Sequence, residues 1–200
     1  MKVHVVVVAT SGNQRFIFAS NKRRENVGAS YLITRVEEGW LDEALRAVTG
    51  GGERHRSIIE HPVEIVTANA GGITALVREP EIGRELVTRI TLQALREAPG
   101  LDVCGVVGEA VEWDGLDASA LAKLIRRTRD MLPVAQMGRP GPQLRFPGVP
   151  IAARCLSSGL PAARIVQSTS QERPSLVPRR AWPSSTRSPR RWAAWRTRWA

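Results

Sequence analysis

At 200 residues the chain has the length of one ordinary domain, and its apolar fraction of 42% is enough to build a core. It has no run of about eighteen apolar residues, which excludes a membrane-spanning helix. Its first residues lack the charged start and small-residue cleavage site of a secretory signal. Two cysteines, Cys104 and Cys155, are too few for a disulfide framework and fit a reduced, cytoplasmic setting. The formal net charge of +10 invites a polyanion partner, but residues 171–200 hold eight Arg and one acid, Glu172, and so carry +7 of it.

In chain order, 2–9 reads as a strand. Valine dominates it and both faces are apolar, as in a central strand. Thr10 to Gln14 form a turn. A helix is predicted over 28–48, with Ile33, Val36, Trp40, Leu41, Ala44, Leu45 and Val48 on one stripe. Gly50, Gly51 and Gly52 end it, and the charged stretch 53–57 is a loop. Strands at 63–67 and 74–77 flank Ala-Asn-Ala-Gly-Gly, a hairpin signal. Pro80 opens a helix that runs to about 97, with Ile82, Leu86, Ile90 and Ala94 buried and Leu95 alongside. Pro99-Gly100 stops it, and 101–107 is a strand that can extend to Val111. Asp117 caps a last helix over 118–132, striped by Leu121, Leu124, Ile125 and Leu132.

The order β-α-β-β-α-β followed by an extra helix predicts an α+β, ferredoxin-like (palm) fold: an antiparallel sheet with helices on one face. The palm-like domain spans 1–135. A Pro/Gly-rich extension follows over 136–167, with one short apolar segment at 149–152. The basic tail, 168–200, holds Trp182, Trp192, Trp195 and Trp199, no lysine and no periodicity, and is expected to be disordered. One reading of the tail is a basic aromatic arm for single-stranded nucleic acid. The reading its composition favours is translation in a shifted frame of GC-rich DNA, which yields Arg, Pro, Ala, Ser and Trp.

Two segments carry a family likeness. Residues 11–18 (SGNQRFIF) and 20–32 (SNKRRENVGASYL) resemble the opening of the first palm domain in the large polymerase-like subunit of type III CRISPR effector complexes. Ala70-Gly71-Gly72-Ile73-Thr74 follows at the distance that family leads one to expect. Residues 155–162 (CLSSGLPA) look like a degenerate form of its zinc-binding Cys-x-x-Cys-Gly-x-x-Pro-Ala element. The likeness spans about residues 3–165. It implies a protein in which two palms pack together. The second carries Gly-Gly-Asp-Asp and makes cyclic oligoadenylates from ATP when foreign RNA is bound. The first lacks the acidic pair and serves as a partner wall. It further implies a second palm or other CRISPR effector subunits as partners, RNA or nucleotide as candidate ligands, and no cofactor of the chain's own, with ATP and Mg²⁺ entering only if a second palm is supplied.

A two-metal nucleotidyl-transfer site needs carboxylates to hold its Mg²⁺ ions. Ala9, Thr10 and Ser11 stand where one acid would end the first strand, and Ile73-Thr74 follow Gly71-Gly72 where an acidic pair would stand. Glu64 and Glu79 are the nearest acids along the chain, at the outer ends of the hairpin strands. The chain is therefore expected not to be an enzyme. The candidates for nucleotide or phosphate contact are Ser11, Gly12 and Asn13, then Gly71 and Gly72, and the cationic run Lys22, Arg23 and Arg24. Backbone N–H groups at such glycine turns can approach a phosphate, though the positive φ of a tight turn suffices to explain the glycines, and a cationic run is commonly a solvated face. His4, His55 and His61 lack metal-ligand spacing, and Cys104 reads as a small core residue. Cys155, with Ser158 where a second ligand would stand, cannot make a four-ligand zinc site.

Three functional readings follow. The chain is a non-catalytic palm-like domain or fragment that scaffolds, or contacts nucleotide or RNA, in antiviral defence. Alternatively it is a nucleic-acid module built on the tail and the 22–24 run, with steeply salt-dependent affinity. The third, an active nucleotide cyclase, is opposed by the missing carboxylates.

Overall fold

A computed structural model describes residues 1–51, 54, 56–146, 153–156, 158–162, 164–166 and 175–177. His55, Ser157, the segment 149–152 and the four tail tryptophans lie outside the described residues. The elements run β1 (Lys2–Ser11), α1 (Asn13–Ile17), α2 (Arg23–Glu37), α3 (Gly39–Thr49), β2 (Val63–Asn69), β3 (Gly72–Val77), α4 (Pro80–Glu97), β4 (Asp102–Glu112), α5 (Ala118–Asp130), α6 (Leu132–Met137), α7 (Pro142–Arg145), β5 (Arg164–Val166) and β6 (Ser175–Val177). Strands β1 to β4 form one antiparallel sheet in the order β2-β3-β1-β4, the ferredoxin-like arrangement.

β1 lies in the middle of this sheet, and its alternation explains the all-valine run. Val6 and Val8 face a core made with α2, α3 and α4, where Leu32, Val36, Trp40, Leu41, Leu86 and Ile90 are buried. Val3, Val5 and Val7 face a second, smaller core with Ile58, Leu76 and Leu132, against which Leu121, Leu124 and Ile125 of α5 pack. The extra helix thus covers the sheet face opposite the two β-α-β crossovers, so the sheet is sandwiched. Asp117 caps α5 as expected, its Oδ1 accepting the Ala120 N–H at 2.6 Å.

The structure splits the helix predicted over 28–48 into α2 and α3. The break is at Glu38 (φ −107°, ψ −96°). Two arginines brace it. The Arg35 guanidinium lies over Gly39 so closely that a Cβ there would sit 2.1 Å from Nη1. Arg54 donates to the Glu38 carbonyl at 2.7 Å and to Asp42 at 2.6 Å. The apolar stripe still meets the core on both pieces, because Ile33 and Val36 precede the corner while Trp40, Leu41, Ala44 and Leu45 follow it. Among the described residues after α7, β5 pairs antiparallel with β6.

The hairpin is tighter than its sequence suggested. β2 reaches Asn69 and β3 begins at Gly72, leaving a two-residue turn of Ala70 (φ 49°) and Gly71 (φ 76°). Both residues are left-handed, as a type I′ turn requires. Gly71 cannot be replaced cheaply: a Cβ there would lie 2.5 Å from Thr10 Oγ1 and 2.8 Å from Ile33 Cγ2. Ala70 carries the steric cost of a Cβ in that region. Ala70→Asn, which restores the preferred Asn-Gly turn, is expected to raise unfolding stability by about 1 kcal/mol in urea titration. Gly71→Ala is expected to lower it by more than that.

Candidate functional site

The two glycine-bearing segments come together at one end of the sheet. Ala9 pairs with Gly72 across β1 and β3, and the Thr10 N–H donates to the Gly71 carbonyl at 3.1 Å. Thr10 links the two sides: its Oγ1 accepts from Asn13 Nδ2 at 2.9 Å and lies against Gly71. Ser11, Gly12, Asn13, Gly71 and Gly72 therefore share one neighbourhood. Lys22, Arg23 and Arg24 do not belong to it. They are exposed at the start of α2, whose far end at Glu37 reaches Gly71, roughly 20 Å away along the helix axis. Lys22 pairs with Glu25 at 4.0 Å.

Two of the polar groups that could meet a phosphate are already occupied. The Gly71 N–H donates to Glu37 Oε2 at 2.6 Å. Ser11 Oγ donates to Asp102 Oδ2 at 2.7 Å. Gly12 is left-handed (φ 65°), but the helix after it, α1, has five residues and gives no extended dipole for an anion. Asn13 Oδ1 is buried without a partner. Gly72 is an ordinary strand residue, where an added Cβ would lie 3.4 Å from its nearest neighbour, the Asn69 carbonyl oxygen.

The acids nearest this site in space are Glu37 and Asp102, not Glu64 and Glu79. Glu64 turns back to accept the Ile58 N–H at 2.7 Å, and Glu79 is the residue before α4. Glu37 arrives from the end of α2 and Asp102 from the start of β4, where it pairs with Ser11. Asp102 is held by two arginines: Arg139 Nη2 lies 3.4 Å from Oδ1, and Arg145 Nη2 bonds the same oxygen. Burial raises the Asp102 pKa, but the Ser11 hydrogen bond and the two guanidinium groups outweigh it and hold the carboxyl below its usual range. A carboxylate so neutralised is a structural anchor and has little charge left for a cation.

The cysteines are likewise structural. Cys104 is buried in β4, and burial pushes its thiol up. The segment around Cys155 forms a tight turn with only one thiol in it. The Ser158 N–H points at Cys155 Sγ at 3.5 Å, Gly159 is left-handed (φ 69°), and the Cys155 N–H donates to the Leu160 carbonyl at 2.8 Å. Arg154 and Pro161 bridge across the turn. A serine in place of the second thiolate does not fit zinc, and among the described residues no group of three or more His, Cys, Asp or Glu can hold a metal ion. His4 is a satisfied histidine, its Nδ1 3.0 Å from the Gly108 carbonyl.

No family model matches the chain, and no curated protein does. Among solved structures, "Crystal structure of Csm1-Csm4 cassette in complex with pppApApA" is similar to it with a TM-score of 0.49 at 16% identity. The alignment covers 69% of this chain and 19% of that one, so the chain spans about a fifth of the neighbour's length.

The arginine-held carboxylate gives stability a defined acid limb. Because the Asp102 pKa is lowered on folding, its stabilisation is fully present above the ordinary carboxylate value of 3.8 and is lost as pH falls through the lower folded value. Asp102→Asn is expected to cost about 1–2 kcal/mol at neutral pH, a figure reduced for the partial exposure of the site, and to flatten that acid limb in melts across the acid range. Metal analysis of the purified chain is expected to find no stoichiometric zinc, with a melting temperature unmoved by chelator.

Proposed function

We propose that this chain is a non-catalytic palm-like domain that acts as a scaffold in a type III CRISPR-related assembly. The resemblance of residues 11–32 to the first palm of that family supports the reading, as does the ferredoxin-like sheet. The observation that carries it is the fate of the carboxylates. Where a palm catalyst needs free acids beside the glycine hairpin, Glu37 is committed to the Gly71 N–H and Asp102 to Ser11, Arg139 and Arg145. Two Mg²⁺ ions and a triphosphate would require both to be released, breaking the contacts that fix the hairpin tip and the start of β4.

In this role the domain presents a rigid sheet end to another subunit or to a second palm. Neither partnership needs chemistry from this chain. The purified protein incubated with ATP and Mg²⁺ is expected to give no phosphodiester product above a protein-free control when the mixture is resolved by ion-exchange chromatography. Product that depends on the chain and disappears in Asp102→Asn would show that the domain is a catalyst.

A further inference from the structure

The sheet has two edges, and the chain treats them differently. At the β2 edge, Pro62 precedes the strand and Glu64 lies within it. The preceding loop is tied down by Ile58 N–H to Glu64 and by Arg78 Nε to the Ile58 carbonyl at 2.9 Å. Such charges, prolines and covering loops block further strand pairing. At the β4 edge the run 103–107, Val-Cys-Gly-Val-Val, has neither charge nor proline. Gly105, Val106 and Val107 are partly exposed. Arg139 occupies the Val103 carbonyl at 3.1 Å and the Gly105 amide lies against the Cys104 thiol, and among the described residues no strand except β1 pairs with this run. The register shift between His4 and Val6 places one extra β4 residue at 108–109, so the bulge that would twist the edge away comes only after the apolar run. A groove of about 650 Å³ lies along this side, between Arg84, Val87 and Thr88 of α4 and Gly105, Val107 and Glu109 of β4.

We propose that this edge pairs antiparallel with the same edge of a second copy, joining two four-stranded sheets across a twofold axis. Self-complementarity names the occupant. With Gly105 opposite Gly105, Cys104 faces Val106 and Val103 faces Val107, so small and apolar residues meet throughout. The charges also match end to end. The start of β4 carries Arg139 and Arg145 around a single Asp102, whereas its far end carries exposed Glu109 and Glu112. Antiparallel pairing sets Glu109 opposite Leu101, beside the arginine pair of the other copy, and opposes no like charges. Arg139 Nε, buried without a partner in the single chain, sits at that same end. One strand pair and a groove rim make a small interface, so the association is concentration-dependent.

Sedimentation velocity of the full chain across a wide concentration range is expected to show a monomer–dimer equilibrium. Val106→Lys, which puts a charge into the apolar seam, is expected to abolish the dimer. Glu109→Lys, at an exposed residue without a bonded partner among the described residues, is expected to weaken it roughly tenfold through two symmetric unfavourable contacts. Amide exchange over 104–107 is expected to be slower at dimer-forming concentrations than at dilution. A chain that stays monomeric throughout overturns the proposal, including the case where a different protein supplies the added strand. So does a dimer that both substitutions leave intact. If Val106→Lys fails to fold, Glu109→Lys and the exchange rates decide the matter.

Discussion

β1 is buried on both faces, and the rest of the molecule is arranged by that fact. Val3, Val5, Val6, Val7 and Val8 are almost fully enclosed, each contributing roughly 1.5–3 kcal/mol of burial. A strand with two apolar faces needs cover on both, and the two β-α-β crossovers supply only one side. α5, α6 and Ile58 supply the other. A slip of one residue in register would exchange the two sets of valines between cores of different size, so the pairings of β1 with β3 and β4 are strongly specified. The glycine hairpin, the start of β4 and the turn after β1 are all positioned from this one strand.

What could be read in the sequence was what short-range chemistry decides. The valine run, the helix opened by Pro80, the cap at Asp117 and the apolar stripes all have their causes within a few residues, and the α+β, ferredoxin-like order followed from them. The break at Glu38 was not legible, because Arg54, one of the two arginines that brace it, lies sixteen positions away and Gly39 alone does not stop a helix. The hairpin appeared longer than it is because Ala70 is a poor residue for a left-handed turn, and alanine carries no signal for one. Strand pairing and the close packing of Thr10 against Gly71 override that preference.

The candidate site divides along the same line. Ser11, Gly12, Asn13, Gly71 and Gly72 were identified from turn chemistry, and the sheet register brings them together. Their relation to acids was misjudged, because distance along the chain stood in for distance in space. Asp102 meets arginines 37 and 43 positions later, and Glu37 reaches a glycine 34 positions later. A helix that ends beside the hairpin and a strand that begins beside Ser11 deliver these carboxylates, and neither event has a local sequence signature. The extension around Cys155 shows the converse case. There backbone hydrogen bonds close the turn, and a serine, not a second thiol, stands three residues after Cys155.

The bond from the Gly71 N–H to Glu37 has a consequence for how the molecule opens. A hairpin tip normally frays first, on its own, because its amides have only solvent to lose. Here the tip is fastened to the last residue of α2, and the next residue begins the corner that Arg54 clamps. Loosening the turn therefore releases the helix end, and loosening the corner releases the turn. The two belong to one cooperative unit, although 34 residues of chain separate them.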